Sequence, residues 1–183
     1  MRERIESLAQ IHQACWQELA QASQQRSHGL RLMGLATVDG DAADLRTVVL
    51  REVDVAHRQL MFFTDARSPK VAQMRAHPVA TLMAWSAALT WQLRLRVVLD
   101  VATDGLTVTS RWARLKLSPA AQDYLSPLPP GAPLAGQPPE RATREHFAVV
   151  TAQVTGLDWL ELHDHGHRRA CFDAAGQGIW VTP

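Results

Sequence analysis

The sequence is short of the residues that mark the commoner kinds of site. Two cysteines occur in 183 residues, Cys15 and Cys171, with no Cys-x-x-Cys spacing. A zinc knuckle or a disulfide framework is therefore unsupported, and two reduced thiols suit a cytosolic chain. No stretch approaches the ~20 apolar residues needed to cross a bilayer. The opening MRERIESLAQIHQ is charged and periodic and lacks the apolar core of a signal peptide. A soluble, cytoplasmic protein without a membrane partner is expected. Neither sign of charge is in excess, with 19 Lys and Arg against 18 Asp and Glu and a pI of about 7.9. That balance supplies no field for nucleic acid or anionic lipid, although cations can still cluster at an anionic ligand. There is no internal repeat, no Gly-x-Gly-x-x-Gly and no alternation of strands with helices, which argues against a Rossmann domain.

What is present suits one domain spanning residues 1–183, with 46% hydrophobic residues and an N-terminal helix within 1–24. Ile5, Leu8, Ile11, Cys15 and Leu19 recur every three or four positions, the stripe of an amphipathic helix. LRLMGLATVDGDAADLRTVVLREVD then reads as two strands joined by a turn at Asp39-Gly40. QLMFFT (59–64), ATLMAW (80–85) and WQLRLRVVLDVAT (91–103) read as three more. Alternation in the last puts Gln92, Arg94 and Arg96 on one face and Leu93, Leu95 and Val97 on the other. Between the third and fourth strands, Ser68 is the predicted N-cap and Pro69 a first-turn residue. A short helix follows over Val71–Ala76, stopped by Pro78. Helical stretches are predicted over 105–117 and from Pro119 to Leu125. SPLPPGAPLAGQPPE, residues 126–140, holds six of the ten prolines and reads as a surface or ligand-covering loop. Three strands close the chain: FAVVTAQVTGLDWLEL, RRACFD and GIWVTP. Many short strands with few helices predict a mainly antiparallel barrel or sandwich.

Three segments carry side chains suited to chemistry. In LRTVVLR (45–51), Arg46 and Arg51 bracket an apolar run. Cations at strand ends are commonly just exposed. The alternative is a phosphate clamp, because guanidinium offers phosphate paired donors. In TDARSPKVAQM (64–74), Lys70 stands on the first turn of a helix whose N-terminus favours an anion, with ordinary capping as the competing reading. In ELHDHGHRRACFD (161–173), His163, His165 and His167 alternate, and on an extended strand they would share a face. At strand rise they would also span about 13 Å, too far for one tetrahedral ion without a bend. His163 and His165 with Asp164 could still hold an ion in a turn, but further ligands are lacking and a metal site is the disfavoured reading.

Taken in order, these segments resemble the pyridoxamine 5'-phosphate oxidase family of FMN-binding split barrels. The likeness runs from LRTVVLR through QLMFFTDARSPKVAQMRAHPVATLMAW and WQLRL to GLDWLELHDHGHRRACFDAAGQGIWVTP, most of residues 30–183. It implies a mainly β fold, an antiparallel split β-barrel of Greek-key type with a few peripheral helices. FMN would lie at the interface of a homodimer. The resemblance implies Arg46 at the FMN phosphate, with the backbone of Thr47, Val48, Val49 and Leu50 along the flavin. It likewise implies Phe63 and Thr64 at a strand end, Lys70 at the phosphate, Gln92 reaching the flavin, and Trp159 and Arg169 as C-terminal contacts.

On the substrate side the resemblance implies a changed pocket. Arg51 stands where the family's oxidases end their first motif with lysine. An ungapped match from Trp159 puts His165, His167 and Arg169 on an Arg-x-His-Asp-Arg segment, so His165 replaces a substrate-holding arginine and His167 becomes a candidate to orient substrate. A substrate-phosphate clamp of tyrosine, arginine and serine falls near residues 112–122, where Ala113, Pro119 and Ala121 stand if Gln122 is the anchor. The expected function is FMN-dependent oxidation or reduction of a small molecule. The alternatives are a true pyridoxamine or pyridoxine 5'-phosphate oxidase using Arg51 in place of lysine, and a non-catalytic flavin- or haem-binding barrel.

Overall fold

The structure is a computed structural model and describes residues 4–134 and 146–183. Among these, nine strands join in one antiparallel sheet: β1 (Leu32–Asp39), β2 (Ala42–Val49), β3 (Glu52–Asp54), β4 (Gln59–Asp65), β5 (Val79–Ser86), β6 (Trp91–Ala102), β7 (Phe147–Glu161), β8 (Arg168–Asp173) and β9 (Gly178–Val181). The path across the sheet is β2-β1-β5-β6-β7-β4-β3, with β8 and β9 continuing from β7. The two ends of that path, β2 and β3, are consecutive in the chain and separated only by Leu50 and Arg51. The sheet therefore closes on itself. At this corner the Leu50 N–H donates to Arg31 O at 2.9 Å and the Arg51 N–H to Met61 O at 2.9 Å, so the chain changes partner from one strand to another. That exchange explains why residues 30–54 make three strands where the apolar pattern predicts two.

The split lies in β7, which is 15 residues long. One edge pairs with β6 along nearly its whole length. The other pairs with β4 through residues 147–153 and with β8 through residues 156–161. The change of partner sits beside Thr155, where the β6–β7 register slips between Arg96 and Val97 and adds one residue on β7. Such a bulge bends the strand and sharpens its twist. The alternation predicted for β6 is observed, with Leu93, Leu95 and Val97 fully buried and Arg94 and Arg96 on the outer face.

The predicted helices form with small shifts. Helix α1 (Leu8–Gln24) lays Ile11, Cys15, Leu19 and Ala22 on the barrel core. Helix α2 (Pro69–Ala76) starts two residues before the apolar pattern, since proline is pre-set for a first turn. It stops before His77-Pro78, because a residue ahead of proline avoids helical backbone. Helix α3 (Gly105–Leu115) and a 3-10 helix over Pro119–Tyr124 enclose a second core in which Val108, Trp112, Leu115 and Ala121 meet Phe147 and Val149. Residues 126–134 of the predicted Pro-rich loop are neither helix nor strand. Its remainder, 135–140, lies outside the described residues, as do residues 1–3 of the N-terminal segment. No helix among the described residues is long and apolar enough to cross a membrane.

A buried carboxylate fastens the segment before α1 to the end of β7. Glu161, 7% exposed, accepts from Arg4 Nε and Nη2 at 3.1 and 2.9 Å and from Arg168 Nε at 3.0 Å. Burial alone would raise its pKa. The hydrogen bonds and charges of Arg4 and Arg168 outweigh that and hold the carboxyl below the ordinary glutamate range. A depressed folded-state pKa contributes stability above the unfolded value of about 4.3, and that contribution is lost as pH falls through the folded pKa. Glu161→Gln is expected to lower urea-unfolding stability at neutral pH by about 1–3 kcal/mol. The same variant should lose part of the wild-type sensitivity to acid, so parallel stability-against-pH curves would contradict this account.

Candidate functional site

Arg46 projects from β2 on the face it shares with its cross-strand partner Leu35, which is fully buried. Its Nη1 donates to Leu35 O at 3.2 Å and to Thr37 Oγ1 at 2.5 Å, and its Nη2 donates to Gln73 Oε1 at 2.7 Å. Nη2 also holds the Asp44 carboxylate, two residues back on the same strand face. Thr37 and Gln73 are buried, so the guanidinium is aimed by groups that have few other positions.

The loop from β4 into α2 brings Lys70 beside it. Asp65 shapes that loop by accepting the backbone N–H of Arg67 at 2.8 Å and the Arg67 guanidinium at 3.0 and 2.6 Å. Ser68 takes the predicted N-cap position with extended backbone, but its side chain makes no cap hydrogen bond. Its Oγ instead accepts from Lys70 Nζ at 2.7 Å. That bond is the only one Lys70 Nζ makes among the described residues. Burial lowers the Lys70 pKa and the nearby Arg46 charge lowers it further, against the weaker pull of Asp65 and Asp44. Arg46 is countered by Asp44, whereas Lys70 Nζ meets only the neutral Ser68 hydroxyl, so the two neighbouring cations share one directly bonded carboxylate. A phosphate monoester is a fitting complement, since it is an anion that accepts several charge-assisted hydrogen bonds.

Phe63 and Thr64 stand at the end of β4, just ahead of the loop that carries Lys70. The Phe63 ring meets Phe147 edge-on at 5.1 Å, and Thr64 is buried. On β2, Thr47 is exposed, Val48 is buried and Val49 is half-buried, and Leu50 just beyond the strand is buried. Arg51 stands at the β2–β3 corner, its guanidinium carbon 6.0 Å from the Phe63 ring centre. Its Nη2 donates to Tyr124 Oη at 3.3 Å, while Nε is buried without a partner among the described residues. Tyr124, the single tyrosine of the chain, lies just beyond residues 112–122, where the resemblance implies a substrate-side tyrosine. Burial pushes its phenol pKa up and Arg51 opposes the shift.

The remaining predicted contacts form a second group. Gln92 lies on the outer sheet face between Trp85 and Leu160, and Leu160 is paired with Arg169. Arg169 makes a two-point contact with Asp158, at 2.9 and 2.7 Å, and Asp158 raises its pKa. Arg94 is 3.8 Å from the same carboxylate. Arg94, Asp158 and Arg169, with Arg96, Cys171 and Ile179, line an outer cleft of about 660 Å³, and Gln92 is not among its lining residues. Trp159 points the other way. It is fully buried, edge-on to Trp91 at 5.6 Å and to Trp180 at 6.4 Å, inside the barrel wall.

The histidine run is a turn, not a strand. Residues 162–167 connect β7 to β8, and Gly166 takes a positive φ of 101° that suits glycine. His167 Nδ1 accepts the His163 N–H at 3.1 Å, and His163 Nδ1 accepts the His165 N–H at 3.0 Å. The three rings therefore do not line one strand face. Among the described residues no three His, Cys, Asp or Glu side chains converge as metal ligands.

One chain does not bring the two groups together. Phe63 is paired with Val149, ten residues before Trp159 on β7, roughly 34 Å at strand rise. Arg46 faces the barrel interior and Gln92 the exterior.

A family model described as "Pyridoxamine 5'-phosphate oxidase, FMN-binding domain" matches residues 13–103. A pyridoxine/pyridoxamine 5'-phosphate oxidase of Caulobacter vibrioides is 27% identical over 178 residues, 90% of this chain and 79% of that protein. A protein of the same name from Hyphomonas neptunium is 34% identical over 60% of this chain and 51% of its own length. Among solved structures, a pyridoxamine 5'-phosphate oxidase-related, FMN-binding protein of Nostoc punctiforme superposes with a TM-score of 0.75 at 22% identity, covering 93% of this chain and 96% of that one. PhzG of Burkholderia lata, solved with tetrahydrophenazine-1-carboxylic acid, gives 0.76 at 13% identity over 99% and 98%.

Proposed function

Because this chain belongs to the pyridoxamine 5'-phosphate oxidase-like family of FMN-binding split barrels, we propose that it is an FMN-dependent oxidoreductase acting on a small molecule, and that two copies complete each site. The observation that carries the reading is the placement of Lys70, whose Nζ bonds only Ser68 Oγ among the described residues, beside Arg46, whose one carboxylate partner is the half-exposed Asp44. They would hold the phosphate, with the β2 backbone from Thr47 to Leu50 and the Phe63–Thr64 strand end alongside the ring system. Bound FMN would supply two-electron redox chemistry at that position.

The dimer is supported by the separation of the predicted contacts. Gln92 and Arg169 from a second copy would meet Arg46 and Lys70 of the first. The outer face that would be covered carries exposed Leu32, Leu45, Met83, Trp85 and Ile179, a large apolar area to leave in water.

On the substrate side, the Arg51–Tyr124 pair beside Phe63 offers a cation and a phenol to an anionic or polar group. His165 and His167, from the β7–β8 turn, would approach only from the partner. The substrate pocket we propose is thus altered from that of a pyridoxamine phosphate oxidase. The competing reading, a true pyridoxamine or pyridoxine 5'-phosphate oxidase, is favoured by the Caulobacter relative's similarity over 90% of this chain.

The purified protein is expected to show flavin absorbance, or to acquire it with added FMN, and to sediment as a dimer. A colourless protein that ignores FMN, or one with a haem Soret band, would overturn the reading. Incubation with pyridoxamine 5'-phosphate and oxygen separates the two substrate readings. Pyridoxal 5'-phosphate formed with peroxide supports the second, and neither product above blank supports the first.

A further inference from the structure

We propose that Asp44 is a built-in competitor for the phosphate of the cofactor, an internal carboxylate that neutralises Arg46 in the empty site and must leave when FMN arrives. The inference rests on the reading that Arg46 and Lys70 take that phosphate.

Four of the five N–H donors of Arg46 are engaged, and Asp44 takes one of the two on Nη2. The other acceptors are Leu35 O, Thr37 Oγ1 and Gln73 Oε1, which belong to buried groups. The Asp44 side chain is 45% exposed. It is the only one of the four acceptors that is not itself buried, and when it swings into water the buried Gln73 Nε2 that it accepts from would turn to the incoming phosphate. Guanidinium presents the same donors to carboxylate and to phosphate, so the two anions compete for one edge of Arg46. They also repel each other, because a phosphate monoester carries roughly −1.5 to −2 charges at neutral pH.

Gln73 makes the arrangement a latch and not an incidental surface pair. Its Oε1 accepts from Arg46 at 2.7 Å and from Thr37 at 2.7 Å, while its Nε2 donates to Asp44 at 3.0 Å. One buried amide therefore holds both the cation and its internal counter-ion. The Gln73 hydrogen bond, followed by the Arg46 charge and hydrogen bond, holds the Asp44 pKa below the ordinary aspartate range, so the group is a full anion at neutral pH. With Asp44 in place the empty protein avoids two bare cations side by side, at the cost of a weaker grip on the cofactor.

The test is a pair of titrations that follow quenching of flavin fluorescence, one with FMN and one with riboflavin, which lacks the phosphate. Asp44→Asn keeps the size of the side chain and an acceptor for Gln73 but removes the charge. It is expected to bind FMN about tenfold more tightly than wild type, or roughly 1.4 kcal/mol, with riboflavin affinity unchanged. Asp44→Ala should shift FMN in the same direction. Unchanged or weaker FMN binding by both variants overturns the proposal and makes Asp44 a positioning residue for Arg46. Equal tightening toward riboflavin overturns it too. If wild type binds no FMN, the cofactor reading itself falls and this one with it. Binding by wild type without tightening in the variants removes this inference alone.

Discussion

Lys70→Met lowers FMN affinity by about 10- to 100-fold and leaves riboflavin affinity nearly unchanged. The range follows from losing one charge-assisted contact, about 1.5–3 kcal/mol, at about 1.4 kcal/mol for each tenfold. Methionine keeps an unbranched stem and deletes the ammonium. Folding should not suffer, since the wild-type cation is already disfavoured by burial and by Arg46. Adding Arg46→Ala takes the loss to about 1,000-fold, but it leaves Thr37 and Gln73 with unmet bonds and should destabilise the cofactor-free protein as well. The single Lys70 variant is therefore the cleaner measurement. Wild-type affinity should also fall as pH rises through the lowered pKa of Lys70, where the ammonium loses its charge, and the Met variant should lack that step. Equal losses for FMN and riboflavin would mean that Lys70 supports the fold of the loop and not the phosphate.

Much of the barrel was legible because strand alternation is a local property. Leu93, Leu95 and Val97 read as one face from spacing alone, and Pro69 and Pro78 bracketed a helix that forms between them. What stayed hidden depends on partners far away in the chain. Nothing in residues 147–161 says that one edge of β7 serves β4 first and β8 afterwards, or that Thr155 bulges where the change occurs. The Leu50–Arg51 corner was missed for the same reason, because its two hydrogen bonds go to Arg31 and Met61. In the histidine run, spacing suggested a shared face, but Gly166 at positive φ turns the chain and two of the imidazoles bond to its backbone. The partners of the predicted cations were equally invisible. Asp44 and Gln73 around Arg46, Tyr124 on Arg51 and Asp158 on Arg169 are polar residues of ordinary type whose roles come only from contact.

Trp159→Ala is expected to destabilise the cofactor-free protein by about 3–5 kcal/mol, the usual cost of truncating a buried aromatic ring. Resemblance alone makes this residue a cofactor contact. Its ring, however, is fully buried against Trp91 and Trp180 on the same strand face as Leu157, directly behind the outer cleft. It builds the wall from which Asp158 and Arg169 project to the other side. The effect should appear in urea unfolding as a lower midpoint with little change in slope, since the native surface stays the same. Trp159→Phe should cost less than the lost area suggests, because the indole Nε1 has no hydrogen-bond partner among the described residues and its removal forfeits none. Arg169→Ala provides the contrast. Its guanidinium is partly exposed and bound only to Asp158 among the described residues, so stability should move by about 1 kcal/mol or less while FMN affinity falls. A Trp159→Ala protein as stable as wild type would show that the ring is not held inside the wall, and would return Trp159 to the cofactor side.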